Sequence, residues 1–275
     1  MTGKKNSKLA AILIAMVLTT PTYPESHRIE VDGAILHVET NGPKAAPAIL
    51  MWNGAACTTH MWDKVVPQLS DRFFAIQFDV RGTGQSSPAK SDDQYTFETY
   101  STDAIAILRH FGYEKSIVWS MAWGSRVAVA YAGLHPERVQ LLALYDASVG
   151  RADVPAQGVG REKAFKAQQE AGIPLIDRPE DWNTHLDQDE MRKALGAART
   201  FGDLSSLLPK ITAPTLVCTG DYDPNLDSSK KIANEIPNAR LEIMKNVGHG
   251  SVLQRPDLTT EIFLRFVDEH TDAVQ

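Results

Sequence analysis

The sequence predicts an α/β fold: a mostly parallel central sheet flanked by helices, with a small helical insertion late in the chain. Three observations carry this. Short apolar runs at 48–52, 73–79, 116–121 and 141–145 alternate with segments of helical or amphipathic pattern at 61–69, 97–111 and 123–134, the signature of parallel strands joined by right-handed crossovers. Two alternating runs, 27–31 and 34–39, flank Asp32-Gly33, a strong hairpin signal, so the sheet opens with an antiparallel pair. Between about residues 149 and 210 the strand signal disappears, and it returns at 215–219 and 241–244.

Each element follows from local chemistry. The helix over 123–134 is rich in alanine and small residues, as a helix lying on a sheet requires. Within 149–210, residues 161–171 and 189–199 read as charged amphipathic helices, while Pro155, Pro174 and Pro179 break the segment into pieces. The chain closes with an amphipathic helix over 258–270. The expected organisation is therefore an α/β core formed by 25–148 and 211–275, interrupted by a helical lid at 149–210.

The first 24 residues differ from the rest. Lys4, Lys5 and Lys8 precede an apolar stretch from Leu9 to Leu18, followed by a small, polar, proline-containing run to Pro24, the layout of a secretory signal. Ten apolar residues fall short of a hydrocarbon layer of about 30 Å, so no permanent membrane span is expected. A secreted or periplasmic location is expected over a cytoplasmic one. No A-x-A pattern follows Leu18, so an uncleaved anchor or a disordered tail also fits.

Composition narrows the partners. The 275 residues are 43% hydrophobic and 23% charged, with a formal net charge of -6. That fits one globular domain with a large core and leaves no basic surplus for phosphate backbones, so nucleic acid is not an expected partner and a small molecule is. Two cysteines, Cys57 and Cys218, make no disulfide framework and no metal spacing.

The stretch 112–139, with Gly-Tyr-Glu-Lys before a strand and His-Pro-Glu-Arg-Val after a helix, resembles the centre of the α/β-hydrolase family. There a G-x-S-x-G turn joins strand to helix so sharply that the serine stands exposed and the next N–H points at the developing oxyanion. Two registers compete. Ser120 sits in Trp-Ser-Met, but Gly112 lies ten residues before Ala122 and Pro136 fourteen after it, which is the family spacing. Ala122 therefore takes the nucleophile position, flanked by Ser120 and Gly124, and Trp123-Gly124-Ser125 matches the wording of proline iminopeptidases.

The resemblance assigns the remaining parts. Trp52-Asn53-Gly54-Ala55 stands where the family has its H-G-x loop, so the backbone N–H groups of Ala55 and Trp123 are the expected oxyanion donors; Asn53 replaces the usual histidine. Asp79-Val-Arg-Gly-Thr-Gly-Gln-Ser matches a family turn of structural role. Gly220-Asp-Tyr-Asp-Pro assigns the orienting acid to Asp223, with Asp146 as the alternative acid, and Asn-Val-Gly-His-Gly-Ser assigns the base to His249. Of the other histidines, His60 lies nearest the oxyanion loop in sequence, and no cluster has metal-ligand spacing.

What the resemblance implies is acyl transfer on a small ester or amide with no cofactor and no metal, by a Ser–His–Asp mechanism whose serine is absent here. Alanine cannot attack a carbonyl, so the chain is expected to be nearly inactive by that route. A deliberate Ser→Ala trap, a natural loss of the nucleophile, chemistry that never used the serine, and Ser120 acting from an unusual position all fit. Two other readings remain beside hydrolysis: a non-catalytic small-molecule binder, and a cofactor-independent enzyme using Asp223 and His249 as a general base.

Overall fold

A computed structural model describes residues 24–274; the expected export segment, apart from Pro24, lies outside the described residues. The strands are β1 (Glu25–Val31), β2 (Ala34–Asn41), β3 (Ala48–Trp52), β4 (Phe74–Phe78), β5 (Ser116–Met121), β6 (Val139–Tyr145), β7 (Thr215–Gly220) and β8 (Ala239–Met244). They form one sheet in the order β1-β2-β4-β3-β5-β6-β7-β8. β1 pairs antiparallel with β2 from Val31 opposite Ala34, β2 pairs antiparallel with β4, and every later pairing is parallel. The hairpin turns on Asp32 (φ 44°) and Gly33 (φ 74°); two positive φ values in succession are what a right-twisted two-residue hairpin needs.

The helices are α1 (Phe97–His110), α2 (Trp123–Leu134), α3 (Val154–Glu170), α4 (Gln188–Phe201), α5 (Leu226–Glu235), α6 (Ser251–Gln254), α7 (Pro256–Asp268) and α8 (Thr271–Val274). They cover both sheet faces, and successive strand residues divide between two cores. Leu50, Ile76 and Val118 pack on one side with α1 and α2 residues; Ile49, Met51, Ile117 and Trp119 pack on the other, where Trp119 stacks on Phe263 with centroids 4.1 Å apart. Burial on both faces explains why these strands read as unbroken apolar runs.

Three expectations need correction. Residues 61–69 form no regular helix but two 3₁₀ turns, Thr59–Trp62 and Val66–Gln68, and Pro67 lacks the N–H a continuous helix would use there. Pro155 does not break the insertion; it sits in the first turn of α3, which Asp153 caps by accepting the Ala156 N–H at 3.0 Å. The closing helix starts two residues earlier than its apolar pattern, at Pro256. α3 and α4 both lie between β6 and β7. Among the described residues no helix is long and apolar enough to cross a membrane.

Candidate active site

Loops leaving the carboxyl ends of the parallel strands carry the site, where open α/β sheets gather their ligand groups. One of these loops is the tight turn between β5 and α2. Ala122 has φ 54° and ψ −111°, a conformation that costs a non-glycine residue roughly 1–3 kcal/mol. Its N–H donates to Tyr145 O at 2.8 Å, and its carbonyl accepts the Ser125 N–H at 3.1 Å. Close approach explains the small neighbours: a Cβ on Gly124 would stand 2.4 Å from Asn53 O and 2.6 Å from Trp52 O. Ser120 is turned into the core. It is fully buried, its Oγ donates to Ala143 O, and it shares a 3.0 Å hydrogen bond with Ser125 Oγ. Ala122, not Ser120, thus holds the strained position of this turn.

His249 arrives on the loop after β8 and Asp223 on the loop after β7. Their contact is two-pronged, with Nδ1 3.1 Å from Oδ2 and 3.2 Å from Oδ1. Asp223 is almost closed to solvent and also accepts the Asn225 N–H at 2.9 Å and the Thr219 hydroxyl at 3.1 Å. These donors fix the carboxylate, and the carboxylate fixes the imidazole tautomer with its proton on Nδ1. Burial works against protonation of His249, but its hydrogen bond to Asp223 and the negative charges of Asp146 and Asp223 outweigh it and raise its pKa above the ordinary histidine value.

Asp146, at the end of β6, does not replace Asp223 as the ring's hydrogen-bond partner. Its Oδ2 accepts the N–H groups of Gly250 and Ser251 at 2.9 and 2.7 Å, so it anchors the loop that carries His249. It is fully buried, and burial together with the charge of Asp223 pushes its carboxyl upward. Gln254 holds the other side of the loop, donating to His249 O at 2.7 Å and accepting the Gly248 N–H at 3.1 Å.

Ala55, Ala122, Trp123 and His249 line one cavity of about 640 Å³, which is also lined by residues of α3, α4 and the chain around Gly150. Among the described residues the N–H groups of Ala55 and Trp123 have no internal acceptor. Asn53 turns inward: its amide donates to Phe78 O and Asp79 Oδ1 and accepts the Trp62 indole N–H at 2.8 Å. It braces the loop through its side chain and leaves the backbone donors free. Asp79 does the same for the next turn, accepting the N–H groups of Thr59 and Gln85 at 3.0 Å each.

Other polar groups take structural parts. His60 pairs with Asp63 at 3.1 Å and stays outside the main cavity. Cys57 and Cys218 are both buried free thiols, and burial pushes the Cys57 thiol up to about 12, far from a reactive thiolate. Glu39, His60 and Asp63 bring ligand-type atoms within 4.8 Å of one another, as do Asp146, Asp223 and His249; sequence spacing showed neither group. Three further residues escaped sequence reading. Gln254 was one. His185 accepts the Gly84 N–H at Nδ1 (2.7 Å) and reaches Ala56 O from Nε2 (3.1 Å), tying the insertion to the loop after β3. Arg126 of α2 donates to the carbonyls of Gly150, Ala198 and Gly202.

Comparison with known proteins identifies the family of this fold. Residues 47–184 match the family model described as alpha/beta hydrolase fold. The chain is 28% identical over 273 residues to the proline iminopeptidase PfmaB of Pestalotiopsis fici, covering 85% of this chain and 96% of that protein. It is 25% identical over 272 residues to 3-oxoadipate enol-lactonase 1 of Acinetobacter baylyi, covering 88% and 98%. The crystal structure of the enol-lactonase from Burkholderia xenovorans LB400 superposes with a TM-score of 0.73 at 23% identity, covering 88% of this chain and all of that one. An eight-stranded sheet in this order, a strained turn after β5 and a family match across half the chain lead to one conclusion: the protein belongs to the α/β-hydrolase family and is a hydrolase by lineage.

Proposed function

We propose that this chain binds a small ester, lactone or amide in the site of a Ser–His–Asp acyl-transfer hydrolase and, with Ala122 at the nucleophile position, holds it with little turnover. The observation that carries the reading is the backbone of Ala122, bent to φ 54° and ψ −111° in the same cavity as His249. A turn so costly is retained where a side chain must be presented to a reacting group, and a methyl group gains nothing from it. The named activities of the two relatives, an iminopeptidase and an enol-lactonase, support a small acyl substrate.

In the serine form, His249 takes the hydroxyl proton on Nε2 while Asp223 stabilises the resulting imidazolium. The N–H groups of Ala55 and Trp123 serve the tetrahedral oxyanion, and water then cleaves the acyl-enzyme. The segment between β6 and β7 acts as the lid that selects the substrate. Without the hydroxyl, binding and the oxyanion donors remain, and they alone give only a residual rate. The hydrogen bonds that hold Asp223 against His249 Nδ1 favour one second reading, a general base acting directly on an acidic C–H or O–H of the ligand.

The test is a comparison of three proteins, the chain as it stands, Ala122→Ser, and Ala122→Ser with His249→Ala, against p-nitrophenyl acetate and a panel of small lactones. Activity confined to the serine form with His249 intact is the expected result. Turnover by the alanine form that His249→Ala abolishes would replace the hydrolytic reading with the general-base one. In the same reading the residues before Glu25 direct export, and fractionation of cells making the full chain, with N-terminal sequencing of the product, checks this.

A further inference from the structure

The cavity that holds Ala122 and His249 carries an unbalanced charge. Arg126, Arg151 and Arg199 line it, against a single lining carboxylate, Asp203. Asp203 is exposed and already bonded to the Ser205 N–H; Asp223 and Asp146 stand behind His249 and do not line the cavity. Arg126 is only 6% exposed. Its guanidinium meets three carbonyl oxygens and no carboxylate, and its Nε is buried without a partner. Burial lowers its pKa, yet a guanidinium stays charged in any protein environment at neutral pH. Arg151 and Arg199 are exposed on the insertion, and among the described residues neither has an ion-pair partner.

A buried cation that bonds only carbonyl oxygens, with one exposed carboxylate, Asp203, as its charge partner, is costly unless a further anion completes it. Two further arginines without ion-pair partners line the same cavity and attract negative charge to it. Guanidinium forks match carboxylate oxygens in geometry as well as in charge. We infer that the cavity takes a carboxylate-bearing substrate, with Arg151 and Arg199 gripping the carboxylate and Arg126 supplying a fixed positive wall, while the scissile carbonyl lies towards Ala122. This rests on the reading above that the cavity is the substrate site.

The experiment uses the chain as it stands, because Ala122 leaves an ester uncleaved. Calorimetric binding of monoethyl adipate, which carries one carboxylate, is measured against neutral diethyl adipate at low and high salt. Each is repeated on Arg151→Ala/Arg199→Ala and on Arg151→Lys/Arg199→Lys. The half-ester is expected to bind at least tenfold more tightly than the diester at low salt, with the preference falling below threefold in the alanine pair and largely kept in the lysine pair. High salt should erode it, since exposed charges are screened. Equal binding of the two esters, or a preference that survives in the alanine pair, would overturn the inference. So would binding of neither ester alongside hydrolysis of neutral esters by Ala122→Ser, a result that leaves the hydrolase reading standing. An arginine-dependent preference with an inactive Ala122→Ser supports the anionic site and removes the hydrolytic reading instead.

Discussion

The Asp223 carboxylate meets His249 Nδ1 at 3.1 Å from a position that accepts two further hydrogen bonds, from Thr219 and Asn225. A carboxylate fixed at three points holds the ring in one orientation and one tautomer. In an Ala122→Ser background, Asp223→Asn presents an amide that favours the wrong tautomer, and kcat is expected to fall by about three to four orders of magnitude. KM should change little. Steady-state kinetics on a single ester measure both.

The acid limb of that serine form follows from the direction of the His249 shift. Its pKa is raised, and only the neutral ring accepts a proton. Hydrolysis should therefore still be climbing at pH values above 6.5, where an ordinary histidine would already be half deprotonated. Asp146→Asn removes one of the charges that raise it, so the limb should move to lower pH. An unchanged limb would show that Asp146 acts on the loop backbone alone.

Asp146 also leaves a mark on stability. Its carboxyl is raised in the folded state, by burial first and by Asp223 second. The unfolded chain therefore holds fewer protons between the ordinary carboxylate range and the folded pKa, and stability is lost as pH rises through that window. Asp146→Asn keeps an oxygen for the Gly250 and Ser251 N–H groups and has no charge to bury. Its Tm should exceed that of the parent at pH 8 by roughly 2–4 °C, about 1 kcal/mol for a domain of this size, and the gain should vanish near pH 4.

The sequence could bring Ala122, Asp223 and His249 together because each lies in the short loop that follows a strand, where wording and spacing are local. The sheet was legible for a similar reason: strands buried on both faces leave apolar runs. The supports were not. His185 reaches Gly84 across 101 positions, Asp146 reaches Ser251 across 105, and Arg126 reaches Gly202 across 76. No periodic pattern marks such pairs, since each side chain alone reads as an ordinary loop or helix polar residue. Residues 61–69 failed differently, because amphipathic spacing outweighed a single Pro67 in the reading but not in the backbone.

His185 makes one of these hidden links sensitive to pH. Burial lowers its pKa, and it accepts the Gly84 N–H with a neutral Nδ1. A depressed folded pKa means the contribution is present above the unfolded value near 6.5 and lost as pH falls through the folded one. Exchange of the Gly84 amide, corrected for its intrinsic rate, should accelerate several-fold on going from pH 7 to pH 5. In His185→Gln the acceleration should be absent.

The strain at Ala122 gives the last test, and it separates backbone from chemistry. Serine has the same Cβ as alanine and meets the same positive φ, so Ala122→Ser should change stability by less than about 0.5 kcal/mol. Glycine has no Cβ and adopts the mirror of the extended region freely. Ala122 is itself almost closed to solvent but contributes only a methyl group to the packing. Relief of strain should therefore exceed the lost contacts and the extra chain entropy, and Ala122→Gly is expected to stabilise the protein by about 1 kcal/mol in urea unfolding. A destabilised glycine variant would mean that the turn is relaxed and is held by the packing of Trp123 and Ser125 alone.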